Sequence, residues 1–185
     1  MQLTQLELNG AILGFSPLHT DDRGYFREWF KYENLASSQL KTFKVAQSNV
    51  SLSSENVLRG IHFSTVATGQ EKWITCTRGS IIDFVVDIRV SSPTFKKWIA
   101  VELTEFNGYS LFVGNGLGHA FIAQEDKTQV NYLLTTTYKP ELEKSINPFD
   151  PELSIDWGRS NLILSEKDRS APSLKQLRDT GFLPK

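Results

Sequence analysis

Within Arg59-Gly60-Ile61-His62-Phe63 a histidine stands three residues from an arginine, in an apolar run that includes Val57, Leu58 and Ile61. Histidine moves protons near neutral pH more readily than other side chains, because its unperturbed pKa is about 6.5. Arginine clamps phosphate, since its planar fork donates two parallel hydrogen bonds. A base beside an anion clamp points to a phosphorylated substrate that loses a proton. The same residues also read as a satisfied core histidine beside a surface arginine, so the rest of the chain must decide. Alternation sets a condition of its own. In a regular strand Arg59, Ile61 and Phe63 share one face and His62 the other, so Arg59 and His62 line one cavity only if Gly60 marks a bulge or bend.

The elements that must position these groups are short strands. We read them over Leu3–Leu8, Ala11–Leu18, Gly24–Phe30, Phe43–Ser51, Val57–Phe63, Lys72–Arg78, Ser80–Arg89, Lys97–Leu103, Tyr109–Val113, His119–Gln124 and Thr128–Thr136. These runs are rich in Val, Ile, Phe, Trp and Thr, and polar or glycine-containing turns separate them. Helix signals are confined to Lys31–Ser37 and to Ser173–Thr180, where Ser173 caps and Gly181 stops the helix. Many short strands with little helix predict a mainly β sandwich or barrel. No repeat, linker or break in composition divides residues 1–185, so one domain is expected.

Period-two sorting then places single polar groups among apolar neighbours on five strands. Lys72 goes with Ile74 and Cys76, His119 with Phe121, Tyr132 with Val130 and Leu134, and Gln47 with Val45 and Asn49. On the fifth, Asp83 and Asp87 share the face opposite Ile82, Phe84, Val86 and Ile88. A buried polar group left unpaired costs about 1–3 kcal/mol, so this recurrence favours a lined cavity over five chance placements.

Bulk properties narrow the function classes. A formal net charge of −1 gives no electrostatic case for nucleic acid or an anionic membrane surface. One cysteine, Cys76, excludes an internal disulfide and any multi-cysteine zinc site, and it reads as a small buried hydrophobe. No apolar stretch approaches membrane-spanning length and no basic segment leads into one near the N-terminus, so a soluble cytoplasmic protein is expected. Gly114-Asn115-Gly116-Leu117-Gly118 follows a strand but precedes another strand, so no helix N-terminus waits for a pyrophosphate; it reads as a tight turn. Ser64 stands two residues after His62, where a metal-binding His-x-His pair would repeat, and His119 is alone. The cavity is therefore expected to hold no metal, and turnover to survive exhaustive chelation.

Four runs carry a family resemblance: Asp22-Arg23-Gly24-Tyr25-Phe26-Arg27-Glu28, Gln47-Ser48-Asn49-Val50-Ser51, Arg59-Gly60-Ile61-His62-Phe63 and Asp83-Phe84-Val85-Val86-Asp87-Ile88-Arg89. Ser91–Phe95, Gly118-His119-Ala120-Phe121, Asp150-Pro151 with Trp157, and Leu164-Ser165-Glu166-Lys167-Asp168 extend it across nearly the whole chain. The sequence resembles the dTDP-4-dehydrorhamnose 3,5-epimerases. That resemblance implies a cupin-type antiparallel β-sandwich or jelly-roll barrel, a homodimer, no metal and no cofactor. It implies a dTDP-4-keto-6-deoxyhexose substrate whose ketone acidifies the protons at C3 and C5. His62 resembles the family's base, Asp168 the carboxylate that holds its ring, Tyr132 the acid and Lys72 the cation near the enolate oxygen. His119 resembles a further polar group there. Arg23, Glu28, Gln47, Asn49 and Arg59 resemble residues that hold the nucleotide diphosphate, and Phe26 and Tyr138 aromatics that pack on sugar or base. The chain departs from the family at Gly114-Asn115-Gly116, Ala120, Leu133 and Gly158. None of these removes a proton-transfer group, but they alter walls. The readings carried forward are therefore epimerisation at C3 and C5, epimerisation at C3 or C5 alone in an antibiotic deoxysugar pathway, and a non-catalytic sugar-nucleotide-binding cupin. A 3,4-ketoisomerase fits the His62, Lys72, Tyr132 and Asp168 set less well.

Overall fold

The computed structural model describes every residue of the chain except Ser37 and Gln39. Two antiparallel sheets face each other. One has six strands in the order β1 (Gln2–Gln5), β2 (Ala11–Phe15), β10 (Tyr109–Val113), β7 (Lys72–Arg78), β12 (Thr128–Leu134), β5 (Gln47–Ser53). The other runs β13 (Glu143–Ser145), β6 (Leu58–Ser64), β11 (Leu117–Ala123), β8 (Ser80–Asp87), β9 (Trp98–Thr104). A hairpin of β3 (His19–Asp21) and β4 (Gly24–Phe26) stands apart from both.

Three apolar clusters hold the layers together. Between the sheets, Ile74, Cys76 and Val130 from one meet Ile81, Val85, Leu103 and Phe121 from the other. The outer face of the five-stranded sheet, with Leu58, Ile61, Phe63, Phe84 and Val86, is covered by the C-terminal segment through Leu153, Trp157, Leu174 and Leu177. The outer face of the six-stranded sheet buries Ile12, Trp73, Phe112 and Leu133 under Leu35, Leu40 and Phe43. Covered on both faces, β8 reads as a nearly continuous apolar run, and its two aspartates, Asp83 and Asp87, are fully buried. Trp73 is fully buried and satisfies its indole by donating to the Trp29 carbonyl at 3.0 Å.

Predicted strands β7 and β10 match the sequence reading end to end, and the others differ at their ends. Gly24–Phe30 stops being a strand after Phe26, and Trp29 and Phe30 turn in to pack against the third cluster. The three-residue strands β3 and β13 and the helix α2 (Glu166–Arg169) were not anticipated. The expected N-terminal helix is α1 (Tyr32–Ala36), and the last residue assigned to it, Ser37, lies outside the described residues. The C-terminal helix is α3 (Leu174–Asp179), with a full capping box: Ser173 accepts from the Gln176 backbone, whose side chain accepts from the Ser173 backbone. Among the described residues no helix is long and apolar enough to cross a membrane.

Candidate active site

Between the sheets lies a cavity of about 250 Å³ whose wall includes Arg59, His62, Lys72, His119, Tyr132 and Glu143. The two sheets contribute different chemistry. The six-stranded sheet supplies Lys72, Tyr132 and Asn49; the five-stranded sheet supplies Arg59, His62, His119 and Glu143. His62 and Tyr132 therefore approach from opposite walls.

The condition set by alternation in β6 is met at Gly60. His62 pairs with His119 and Arg59 with Phe121, so Gly60 and Ile61 of β6 lie opposite Ala120 alone of β11. The extra residue is a bulge, and both His62 and Arg59 reach the cavity. Gly60 has φ +122°, and a Cβ there would lie 2.6 Å from the His119 carbonyl oxygen, so only glycine fits.

Two histidine–carboxylate pairs face this cavity. His62 Nε2 lies 2.7 Å from Asp168 Oδ1, although 106 residues separate them. The contact follows from how the chain is zipped before α2. Leu58 N–H donates to the Ile163 carbonyl and Ile163 N–H to that of Asn56, which lays the segment before α2 along β6. Ser165 then caps α2 by accepting from the Asp168 N–H at 3.1 Å, which presents the Asp168 carboxylate to the imidazole. Burial alone would raise the Asp168 carboxyl pKa, but the bond and charge of His62 and the contacts with Ser165 and the Gly60 backbone hold it below the usual range. In the second pair His119 Nε2 lies 2.7 Å from Asp83 Oδ1. Here burial wins: the Asp83 carboxyl is pushed up, against the opposing pull of His119 and Lys72.

Lys72 is buried and, among the described residues, its ammonium makes no hydrogen bond or ion pair. Burial lowers its pKa, and the charges of Glu143 and Asp83 oppose that shift. An unengaged cation in a site of low dielectric suits a developing oxyanion. The Tyr132 phenol is pushed up by burial, is packed edge-on against His119, and shares a hydrogen bond of 3.2 Å with Ser51. At neutral pH it is a protonated donor.

Of the other residues singled out by sequence, Asn49 and Tyr138 also line the cavity. Gln47 sits behind them, donating to Asn49 Oδ1 at 2.8 Å and accepting from the Tyr138 backbone at 2.7 Å. Arg23, Phe26 and Glu28 do not line it. They are exposed on and just after the β3–β4 hairpin, where Arg23 is paired with Asp21. Sequence reasoning overlooked Gln70, Glu143 and Lys167, all on the cavity wall. Gln70 had a signal, since the alternation that unites Lys72, Ile74 and Cys76 extends back to it. Gln70 donates to Glu143 at 3.1 Å and to Thr136 at 3.0 Å, joining the two sheets at the rim.

The described residues contain no group of three or more His, Cys, Asp or Glu side chains arranged to hold a metal ion. What the wall offers is an imidazole from one sheet and, from the other, a phenol and an ammonium.

Known proteins resemble this chain in both sequence and fold. The family model described as dTDP-4-dehydrorhamnose 3,5-epimerase matches residues 5–176. A dTDP-4-dehydrorhamnose 3,5-epimerase of Mycolicibacterium smegmatis is 42% identical over 185 residues, covering 100% of this chain and 91% of that one. The crystal structure of NovW, a 4-keto-6-deoxy sugar epimerase from the novobiocin biosynthetic gene cluster of Streptomyces spheroides, superposes with a TM-score of 0.95 at 38% identity, covering 100% of this chain and 92% of that one. ChmJ, a 3'-monoepimerase from Streptomyces bikiniensis solved with dTDP-quinovose, gives a TM-score of 0.90 at 37% identity, with 97% and 91% covered. With a family match spanning most of the sequence and close superposition on solved epimerases, this chain belongs to the dTDP-4-dehydrorhamnose 3,5-epimerase family.

Proposed function

We propose that the protein inverts C3 and C5 of a dTDP-4-keto-6-deoxyhexose by removing a proton from one face of the sugar and returning one from the other. Membership of the family makes it a sugar-nucleotide epimerase; the substrate, the residue roles and the regiochemistry are the proposal. The observation that carries the mechanism is the opposition of His62 and Tyr132 across the cavity, each from a different sheet. A 4-ketone makes the neighbouring C–H bonds acidic. His62, oriented and charge-stabilised by Asp168, takes the proton through the ring nitrogen that Asp168 leaves free. The electron pair moves into the enolate, whose oxygen meets the Lys72 ammonium. Tyr132 then delivers a proton to the opposite face, and the carbon is inverted. These are all protein groups, so the reaction as written calls for no metal and no cofactor.

Arg59 suits the diphosphate, held in place by hydrogen bonds to Ser53 Oγ and the Leu52 carbonyl. Asn49, with Gln47 bonded behind it, suits the nucleotide diphosphate, Tyr138 suits the sugar or base, and His119 is a further polar group beside the ketone. Arg23, Phe26 and Glu28 are exposed and off the cavity wall of their own chain, so reading them as nucleotide-holding residues goes with a homodimer in which a second copy brings its hairpin to the mouth of the cavity. We read residues 1–185 as one domain. A dTDP-sugar is anionic and does not diffuse through a bilayer, which favours the cytoplasm as the compartment.

Epimerisation at C3 alone is the second reading, supported by the 37% identity to the ChmJ monoepimerase. Incubation of a dTDP-4-keto-6-deoxyhexose in deuterium oxide separates the two by NMR. Deuterium at both carbons with inversion at both is expected; label and inversion confined to C3 would select the second reading. No label at either carbon would leave only a sugar-nucleotide-binding protein.

A further inference from the structure

The phenol of Tyr132 is hemmed in. Its ring centroid lies 6.2 Å from that of His119 and 6.5 Å from that of Phe121, and neither contact offers its oxygen a hydrogen bond. Among the described residues its one hydrogen-bond partner is the Ser51 hydroxyl, at 3.2 Å. Ser51 faces Val130 in the β5–β12 ladder, and Asn49 faces Tyr132, so Ser51 lies diagonally beside the phenol on the same inner face. That stretch of β5 is held firmly. Arg59 crosses from the other sheet to bond the Ser53 hydroxyl at 3.0 Å and the Leu52 carbonyl at 3.1 Å, stapling the residues after Ser51 to the strand that carries His62.

We propose that Ser51 is a positioning residue for Tyr132: its hydroxyl sets the direction of the phenol and stabilises the phenolate left behind once the proton has moved to carbon. The inference rests on the reading of Tyr132 as the acid. In the step concerned the phenol O–H bond breaks and a C–H bond forms at the enolate carbon, whose electron pair makes it as the C4 carbonyl is restored. The tyrosine oxygen keeps the O–H pair as a phenolate until water returns a proton. Burial opposes that charge, and Ser51 is the hydrogen-bond donor at hand to offset it. In the resting state either hydroxyl can donate. In the phenolate state only Ser51 can.

The test separates proton removal from proton delivery. Deuterium exchange into unreacted substrate reports His62, and epimer formation reports Tyr132. In Ser51→Ala, exchange should stay near wild type because His62, Asp168 and Lys72 are untouched. The ratio of epimer formed to label exchanged should fall roughly 10- to 100-fold, the scale of one hydrogen bond to a charged oxygen. Ser51→Thr restores the hydroxyl and should restore the ratio, which a mere packing role would not require. Should Ser51→Ala not fold, Ser51→Cys keeps nearly the same shape with a poorer donor, and the same drop is expected. A wild-type ratio in Ser51→Ala, with Tyr132→Phe unable to invert, would overturn the role of Ser51 while leaving Tyr132 as the acid. Loss of exchange and inversion together in a folded Ser51→Ala would also overturn it. If instead Tyr132→Phe inverts at the wild-type rate, the failure lies in the underlying reading of Tyr132.

Discussion

His62 gains a fixed ring from Asp168, and that pairing sets what each single change should do. Asp168→Asn keeps the shape of the side chain and removes its charge, so the imidazole loses its electrostatic support but not its neighbours. Exchange of the substrate's C3 and C5 protons should then fall by roughly 10²-fold, at the low end of what general-base catalysis is worth. His62→Ala should remove exchange and inversion together. Substrate binding should change little in either variant, since the proposed clamp on the diphosphate is Arg59. NMR exchange rates together with a binding titration against dTDP check this; an Asp168→Asn variant exchanging at the wild-type rate would reduce Asp168 to a structural partner of α2. Lys72 adds a residue-level contrast. Among the described residues its buried ammonium has no hydrogen-bond or ion-pair partner, whereas His62 and His119 are already bonded to carboxylates.

At the scale of elements, β6 shows why an active-site strand departs from regularity. A regular β6 would present either Arg59 or His62 to the cavity, and the bulge at Gly60 presents both. Gly60→Ala would put a Cβ 2.6 Å from both the Ala120 Cβ and the His119 carbonyl oxygen, at a φ of +122° that side chains resist. The cost should be about 3 kcal/mol, combining backbone strain with overpacking, and should lower Tm by roughly 10 °C. Activity should fall further than stability, because the shift passes directly into His62 and into His119 opposite it. Thermal melts and turnover on the same sample check both; an unchanged Tm would mean that β11 yields easily. The bulge was legible as a requirement, because alternation could not otherwise unite the two residues. Its local geometry was not, since it depends on pairing with β11 nearly sixty residues away. The same limit explains the other gaps. Alternation sorted Lys72, His119 and Tyr132 to the inner face correctly because burial there is dictated by neighbours two residues off. Three-residue β3 and β13 and four-residue α2 carry too few residues to show any period, and they exist because tertiary contacts hold them. Glu143 on β13 was missed for that reason. Asp168, on the equally short α2, was found only through the family resemblance.

Across the whole molecule, one chain walls the cavity, and three of the residues proposed to hold the nucleotide, Arg23, Phe26 and Glu28, lie off that wall. Arg23 and Phe26 lie on a hairpin joined to neither sheet, with Phe26 65% exposed, and β5 ends the six-stranded sheet with Val50 64% and Leu52 59% exposed. An open sheet edge flanked by large exposed apolar side chains is a natural surface for a second chain. The hairpin is nonetheless anchored at its base. Arg27, between Phe26 and Glu28, donates to Ser16, Thr75, Ser110 and the Gly108 carbonyl, so the arm projects from a fixed base rather than trailing in solvent. If a homodimer forms over β5 and carries this arm to the neighbouring cavity, separating the copies should cost nucleotide binding before it costs folding. Val50→Lys and Leu52→Lys place charges at positions already in solvent, so each monomer should fold with little loss of stability. Sedimentation should then show a monomer, and KM for the dTDP-sugar should rise at least tenfold, because Arg23, Phe26 and Glu28 no longer reach the ligand. The His62–Tyr132 pair lies within one chain and is untouched, so kcat at saturating substrate should fall much less than kcat/KM. A monomeric variant with an unchanged KM would mean that each chain binds its nucleotide alone, and that the exposed hairpin serves something other than the substrate.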